Sequence, residues 1–151
     1  QRQMCIRDRV VTGHRRWKSR EFDAAVEKAR EKRKVLVLGG ASDEDMPALC
    51  NLADASVYPS MYEGFGFPVI EAFACGTPLA ASNASSIPEA AGEAALLFDP
   101  KDTADMSNTL RRLLSDDALR ASLKKKGLER VAAFTWRKTA QEMVRILGEI
   151  A

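Results

Sequence analysis

Five short apolar runs alternate with amphipathic segments over the first hundred residues of this chain. Each run ends at a glycine, proline, serine or aspartate, and the segments between the runs carry apolar residues at helical spacing. Because helical crossovers join parallel strands, this alternation predicts an α/β fold in which a parallel sheet carries helices on both faces. The predicted strands are residues 10–12, 35–38, 55–58, 78–81 and 95–98.

The predicted helices fall between these strands and after them. A capping-box pattern at Ser42 and Asp45 marks one helix start, and Thr135 is a suitable N-cap for the last helix, whose apolar side includes Trp136. We expect Trp136 to pack against other apolar side chains. After residue 100 the pattern is entirely helical, with a break near residues 115–116. The earlier helices are predicted near residues 20–33, 43–53, 68–75 and 88–91.

Two carboxylates, Glu63 and Glu71, bracket a glycine-bearing loop that runs into a helix start at Pro68. Gly64 and Gly66 allow the backbone to approach a ligand closely. The free N–H groups at the helix start, together with the positive end of the helix dipole, favour an anion such as phosphate. The segment is therefore predicted to be a binding site, rather than only a structural turn with a capped helix.

Glu71 falls within a helix that is otherwise apolar. Burying its charge without a partner would cost several kcal/mol. We therefore expect Glu71 to be buried and to need a polar partner, which a ligand would supply.

Charge is distributed unevenly along the 151 residues. Residues 1–41 carry a net charge of +7, residues 42–110 carry −10 and residues 111–151 carry +5. The basic residues of the two flanks alternate with acidic ones on predicted helices, which is typical of solvated helix surface, so no nucleic acid partner is expected. A diphosphate bound in the acidic middle would depend on backbone N–H groups, a helix dipole and cations from elsewhere in the fold.

Composition narrows the class of protein further. No stretch reaches the roughly 20 apolar residues of a membrane span, and no signal peptide is recognisable, so a cytoplasmic location is expected. The three cysteines show no Cys-x-x-Cys spacing, which argues against a disulfide framework or a zinc site. Cys50 and Cys75 are expected to be buried, reduced thiols.

Several motifs lie in order across more than a hundred residues. They are Ser42-Asp43-Glu44-Asp45-Met46, Ala53-Asp54, Tyr58-Pro59-Ser60, Glu63 to Glu71, Ala74-Cys75-Gly76-Thr77-Pro78, Ser82-Asn83, Ile87-Pro88-Glu89, Gly92-Glu93-Ala94-Ala95, Phe98-Asp99-Pro100 and Phe134-Thr135-Trp136. Together they resemble the carboxy-terminal, donor-binding half of a GT-B fold glycosyltransferase of family 4, also called group 1. The resemblance covers roughly residues 10–151 and implies a Rossmann-like lobe that ends in helices.

This resemblance implies a retaining hexosyltransferase that uses a UDP- or GDP-sugar and a saccharide or lipid-linked acceptor, with mannosyl transfer in bacterial surface-glycan synthesis favoured. It implies that Glu63 is catalytic and orients the donor sugar, where its charge suits an oxocarbenium-like transition state. It implies that Glu71 accepts hydrogen bonds from the nucleotide ribose. The full set of implied donor-binding residues is Gly64, Phe65, Gly66, Phe67, Pro68, Val69, Glu71, Gly40 and Ala41, the last two for the base.

The family resemblance also bears on cofactors and partners. Such enzymes generally need no metal, so no cofactor is expected. The expected partners are the nucleotide sugar and a glycan or lipid-linked acceptor, which an amino-terminal lobe would bind. Peripheral association of a longer protein with the inner face of the membrane is left open.

The chain departs from the family pattern at its amino terminus. Family members have an amino-terminal lobe, and then a first strand and loop with an Arg and a Lys that hold the diphosphate, whereas here the counterpart of the second strand is already at Val10. We therefore expect an amino-terminally truncated, inactive piece. Residues 1–9 resemble a non-native leader, residues 10–133 form the lobe, and residues 134–151 form a helix that packs toward the missing lobe. Arg15, Arg16 and Lys18 are expected in a solvent-facing loop.

An alternative function stays open: a non-catalytic nucleotide-sugar-binding module that works with a separate subunit. A dinucleotide-dependent oxidoreductase is disfavoured because Gly64-x-Gly66 lacks the third glycine of that fingerprint. His14 is expected at the surface, and Glu89 either lines the cleft or is a carboxylate at a helix start.

Overall fold

The structure, a computed structural model, describes residues 9–13, 19–31 and 34–150. Five strands and seven helices alternate within these residues. In chain order they are β1 (Arg9–Thr12), α1 (Arg20–Glu31), β2 (Val35–Gly39), α2 (Asp45–Leu52), β3 (Ser56–Tyr58), α3 (Phe67–Ala74), β4 (Leu79–Ser82), α4 (Ile87–Ala91), β5 (Ala95–Phe98), α5 (Thr103–Ser115), α6 (Asp117–Val131) and α7 (Trp136–Ile150).

The predicted elements are confirmed to within one or two residues at their ends. The helical break expected near residues 115–116 separates α5 from α6, and Asp116 caps α6 by accepting a hydrogen bond from the N–H of Leu119 at 2.8 Å. Thr135 caps α7, since its hydroxyl accepts from the N–H of Lys138 at 3.2 Å. Helix α3 begins at Phe67, one residue earlier than predicted.

The described residues fall into two compact units, one that ends at Met46 and one that begins at Pro47. In the first unit, β1 and β2 pair in parallel, with Val10 opposite Leu36. Helix α1 packs beside β2. Gly13 extends this pairing, because its N–H donates to the carbonyl of Gly39 at 2.7 Å.

The second unit contains a three-stranded parallel sheet in the order β3-β4-β5. All four residues of the central strand β4 are buried. Since successive side chains of a strand point to opposite faces, β4 divides the apolar core of this unit into two clusters.

The two clusters lie on opposite faces of the sheet. Leu79 and Ala81 belong to the cluster that contains α3 and α4 residues such as Phe73 and Ile87. The intervening Ala80 belongs to the cluster that contains Phe98 of β5 and Leu113 of α5. The prediction of helices on both faces of a parallel sheet is therefore confirmed for this unit.

Two expectations about side-chain burial are wrong. Trp136 is 80% exposed and α7 has no buried residue, so the predicted packing of Trp136 is absent from the part of the chain that the structure describes. The reason is geometric: the apolar side of α7 meets none of the described core. Cys50 and Cys75 are free thiols as predicted, but both are only half-buried.

Helices α3 and α6 pack closely at Gly127, and this contact gives a test of the fold. A Cβ added at Gly127 would lie 2.8 Å from Cδ1 of the buried Phe73 ring. We expect Gly127→Ala to lower the free energy of unfolding by about 1–2 kcal/mol, because overpacking outweighs the gain in helix propensity. Gly148→Ala is the matched control, since nothing lies within 4 Å of its added Cβ. It should stabilise the chain by up to about 1 kcal/mol. Urea titration of both variants measures the difference, and equal stabilisation by the two substitutions would contradict this packing.

Candidate functional site

Two hydroxyl groups hold the carboxylate of Glu63 in the loop between β3 and α3. The phenol of Tyr58, the last residue of β3, donates to Oε1 of Glu63 at 2.5 Å. The hydroxyl of Ser60 donates to the same oxygen at 2.7 Å. Glu63 is half-buried, and its Oε2 accepts no hydrogen bond from any residue that the structure describes. The carboxylate is thus fixed through one oxygen, with the other left for a ligand.

The backbone of this loop is fastened from the segment that follows β4. The hydroxyls of Ser85 and Ser86 both donate to the carbonyl of Glu63, at 2.7 and 2.9 Å. Ser82, a fully buried residue at the end of β4, donates to the carbonyl of Ser60 at 2.5 Å. Ser85 reaches its partner from a left-handed backbone conformation with φ of 56°, which L-residues seldom adopt. The ends of two adjacent parallel strands therefore set the position of Glu63.

Four successive backbone N–H groups, those of Gly64, Phe65, Gly66 and Phe67, donate to none of the described residues. Gly66 is the N-cap of α3 and has φ of 92°, a left-handed conformation that favours glycine. It provides no side-chain cap, so the N–H of Phe67, the first residue of α3, stays free for an external acceptor, whereas the N–H of Val69 donates to the carbonyl of Gly66 at 2.9 Å. Pro68 follows in the first turn, where its lack of an N–H costs nothing.

Glu71 is exposed, so the expectation that it is buried among apolar side chains is wrong. Helix α3 buries Val69, Ala72 and Phe73, which share one side at helical spacing. Glu71 lies on the other side of this helix. Its carboxylate therefore needs no partner for stability and is available to a ligand.

Both carboxylates act on the same phenol. Burial raises the pKa of Tyr58 well above its ordinary value, the hydrogen bond to Glu63 raises it further, and the charge of Glu71 contributes as well. Both acids therefore favour the protonated phenol. Burial also raises the pKa of the Cys50 thiol, with contributions from Cys75 and then Glu71.

A cavity of about 240 Å³ lies beside the loop, and neither Glu63 nor Glu71 lines it. Its walls combine loop residues with residues of α4 and of the end of α6. The lining residues are Gly64, Phe65, Ser86, Glu89, Ala90, Arg130 and Phe134. Glu89 lies in the first turn of α4, as one of its predicted alternatives has it, and it also lines this cavity.

Arg130, at the end of α6, and Phe134, which follows this helix, stabilise the cavity wall through contacts with α4 and with the loop. The guanidinium of Arg130 donates to the carbonyls of Ala90 at 3.2 Å and Glu89 at 2.6 Å, and lies 5.1 Å from the centre of the Phe134 ring. Phe134 in turn contacts Phe65 edge-on, with 5.7 Å between ring centres, and Phe65 lies 5.1 Å from Phe67. This chain of contacts links the end of α6 to the loop.

Other predicted site residues belong to the first unit or lie outside the described residues. Gly40 and Ala41 follow the end of β2 in the first unit, and their predicted role in base recognition stays a prediction. His14, Arg15, Arg16 and Lys18 lie outside the described residues. Over the described ranges, no group of three or more His, Cys, Asp or Glu side chains could hold a metal ion. None of the described helices is long and apolar enough to cross a membrane.

Sequence reasoning missed the hydroxyl residues that position Glu63. Tyr58 and Ser60 belong to a motif that was recognised, but the pattern alone gave no reason to aim them at Glu63. Ser82 and Ser85 lie more than 20 positions from their partners. The available signal was their place after two adjacent strands, since the carboxyl ends of parallel strands meet at one edge of a sheet.

Comparison with known proteins decides the family. The family model "Glycosyl transferases group 1" matches residues 10–130. The chain belongs to the group 1 glycosyltransferases. It is 36% identical over 135 residues to the O-antigen chain mannosyltransferase B of Escherichia coli, a match that covers 89% of this chain and 35% of that protein.

Solved structures of glycosyltransferases share the fold. Sucrose-phosphate synthase from Thermosynechococcus elongatus superimposes with a TM-score of 0.79 at 31% identity, over 93% of this chain and 38% of that one. HepE of Anabaena in complex with UDP-glucose superimposes with a TM-score of 0.78 at 19% identity, over 93% of this chain and 40% of that one. The predicted Rossmann-like α/β fold, that of a GT-B glycosyltransferase lobe, is confirmed. The group 1 chain spans between 35% and 40% of the length of these three relatives.

The contribution of the Arg130 contacts to stability can be tested by mutation. We expect Arg130→Ala to lower the free energy of unfolding by about 1–3 kcal/mol, because the carbonyls of Glu89 and Ala90 lose charge-assisted donors and Phe134 loses its cation. Arg112→Ala, at an exposed position in α5, is the control and should change stability by less than about 0.5 kcal/mol. Thermal and urea unfolding compare the two variants. Equal stability of the two would show that the Arg130 contacts contribute nothing.

Proposed function

We propose that this chain is the donor-binding lobe of a retaining glycosyltransferase that moves a hexose from a nucleotide-diphosphate sugar to a saccharide or lipid-linked acceptor. One observation carries the proposal. The loop after β3 contains both a restrained carboxylate, that of Glu63, and successive N–H groups that have no acceptor among the described residues. The group 1 family supplies the chemistry that such a loop would serve.

The diphosphate and the sugar of the donor would bind different groups of this loop. The free N–H groups of Gly64–Phe67 and the start of α3 would face the diphosphate oxygens, because amides and the positive helix end favour anions. These contacts would also stabilise the nucleoside diphosphate as it departs. No metal is part of the proposal.

Glu63 would accept hydrogen bonds from hydroxyls of the donor sugar. Its negative charge would favour the positive charge that develops on the sugar ring as the bond to the diphosphate breaks. The acceptor hydroxyl would then form the new glycosidic bond with retained configuration, and its proton would pass to the departing diphosphate oxygen. Glu71, exposed on α3, would accept hydrogen bonds from the ribose of the nucleotide.

Mannose is the favoured sugar, in the synthesis of a surface glycan. The support is the 36% identity to an O-antigen chain mannosyltransferase over 89% of this chain. Acceptor binding would require a further lobe, in keeping with the share of the relatives that this chain spans.

The role of Glu63 is tested in a longer polypeptide that joins this chain to an acceptor-binding lobe. We expect Glu63→Ala to lower kcat by about 10²-fold or more while changing donor affinity far less, because the charge acts chiefly in the transition state. Steady-state kinetics with GDP-mannose and UDP-glucose give both parameters. Glu129→Ala, an exposed acid of α6, is the control and should leave both unchanged. Retention of most of the rate by the Glu63 variant would remove this residue from the mechanism, and nucleotide binding without turnover would favour the non-catalytic module.

The role of Glu71 is tested by binding alone. We expect Glu71→Ala to weaken the binding of UDP or GDP by roughly 1–3 kcal/mol, the free energy of one or two charge-assisted hydrogen bonds. Isothermal titration calorimetry of both nucleotides measures the change and also identifies the preferred base. Glu93→Ala, an exposed acid, is the control. Dissociation constants that match the wild-type values for both nucleotides would contradict the ribose contact.

A further inference from the structure

Tyr58 and Ser60 share a feature that the family resemblance did not assign to them: both donate to one oxygen of Glu63. The two distances are 2.5 Å from the phenol and 2.7 Å from the serine hydroxyl, and both end on Oε1. A carboxylate offers about four lone-pair positions on two oxygens. Here the described protein contacts use one oxygen and leave Oε2 without a donor.

We propose that Tyr58 and Ser60 are positioning residues, which hold Glu63 by Oε1 so that Oε2 accepts the hydroxyl of the donor sugar. The inference rests on the proposed function, because it takes Glu63 as the group that receives the sugar. It adds which oxygen is used and which side chains select it.

Backbone contacts restrain the two residues, Tyr58 and Ser60, whose hydroxyls bind the carboxylate. Tyr58 is the last residue of β3 and its backbone pairs with β4, opposite Ala81, which is fully buried. The carbonyl of Ser60 accepts from the fully buried Ser82. Strand pairing thus restrains Tyr58, and the bond from Ser82 restrains Ser60, so both donors restrict the Glu63 side chain before any ligand arrives.

The protonation of Tyr58 suits this role. Burial and the bond to Glu63 raise the pKa of the phenol, so it remains a donor throughout the neutral range. The charged and titratable groups that act on Tyr58 are Glu63 in the loop and Glu71 on α3. Both are acids, and both favour the protonated phenol.

The fixed backbone carbonyl of Glu63 completes the arrangement. Ser85 and Ser86 hold this carbonyl at 2.7 and 2.9 Å, while Tyr58 and Ser60 hold the carboxylate. The residue is therefore restrained at both ends, and rotation of the side chain would require loss of the two bonds to Oε1. Removing one donor should loosen the carboxylate without displacing the loop.

The experiment measures how much the sugar adds to nucleotide binding. We define the sugar increment as the Kd of the nucleoside diphosphate divided by the Kd of the nucleotide sugar, measured by calorimetry for GDP with GDP-mannose and for UDP with UDP-glucose. Tyr58→Phe keeps the ring and removes the donor. We expect it to lower the sugar increment by about 3- to 10-fold, the value of one hydrogen bond, with less than a twofold change in the Kd of GDP or UDP.

Three controls separate positioning from damage to the fold. Tyr62→Phe removes the phenol of an 83% exposed tyrosine in the same loop and should leave the increment unchanged. Ser60→Ala should lower the increment, and Ser60→Thr, which keeps a hydroxyl, should retain it. In a Glu63→Gln background, Tyr58→Phe should have no further effect, since the two residues act as one unit.

The outcomes are distinguishable. A wild-type sugar increment of one, or no nucleotide binding at all, would refute the proposed function and this inference with it. A wild-type increment above one that Tyr58→Phe leaves intact would overturn the inference alone. Equal weakening of GDP and GDP-mannose by Tyr58→Phe, or an undiminished effect in the Glu63→Gln background, would also overturn it.

Discussion

The hydrogen bonds that end on Glu63 are the constraint on which this site depends. Four hydroxyl groups restrain this one residue, two at its carboxylate and two at its carbonyl. All four come from the ends of β3 and β4 or from the segments that follow them. These bonds offset part of the cost of keeping Glu63 half-buried, because its carbonyl and one of its carboxylate oxygens accept hydrogen bonds, and they orient the side chain before a ligand arrives.

Packing in the rest of the second unit supports the edge of the sheet at which β3 and β4 end. Strand β4 is buried along its whole length, with an apolar cluster on each face, so its carboxyl end is a rigid support. Helix α3 packs on α6 through the contact between Phe73 and Gly127 and directs its free amino end toward the loop. From the opposite side, Arg130 and Phe134 hold α4 and the Phe65 ring. The loop can therefore leave its amides unpaired without losing its conformation.

Glu63 in the loop and Glu71 on α3 are accessible to a ligand for different physical reasons. Glu63 is restrained and half-buried, whereas Glu71 is exposed because the apolar side of α3 faces the core and position 71 faces away. Sequence reasoning treated Glu71 as a buried charge in need of a partner, since every neighbour in its helix is apolar. Eight residues make only about two turns, and a short helix can be apolar on average while one side remains open to solvent. Exposure leaves the ribose contact as a prediction to be tested by binding.

What the sequence by itself determined was the set of elements and the family. Short apolar runs, helical spacing, glycine and proline at the ends of the runs, and the spacing of Glu63 and Glu71 are local properties, so the strands, the helix break at residues 115–116 and the α/β class followed from them. Only the tertiary structure decided which hydroxyls reach Glu63, where Glu71 points, and that α7 and Trp136 meet none of the described core. Those contacts join residues such as Ser85 and Glu63, 22 positions apart, whose distance depends on how β3 and β4 pair rather than on any local pattern. Burial is likewise a property of packing, which is why a helix that is apolar in sequence could still leave an acid, or a tryptophan, in solvent.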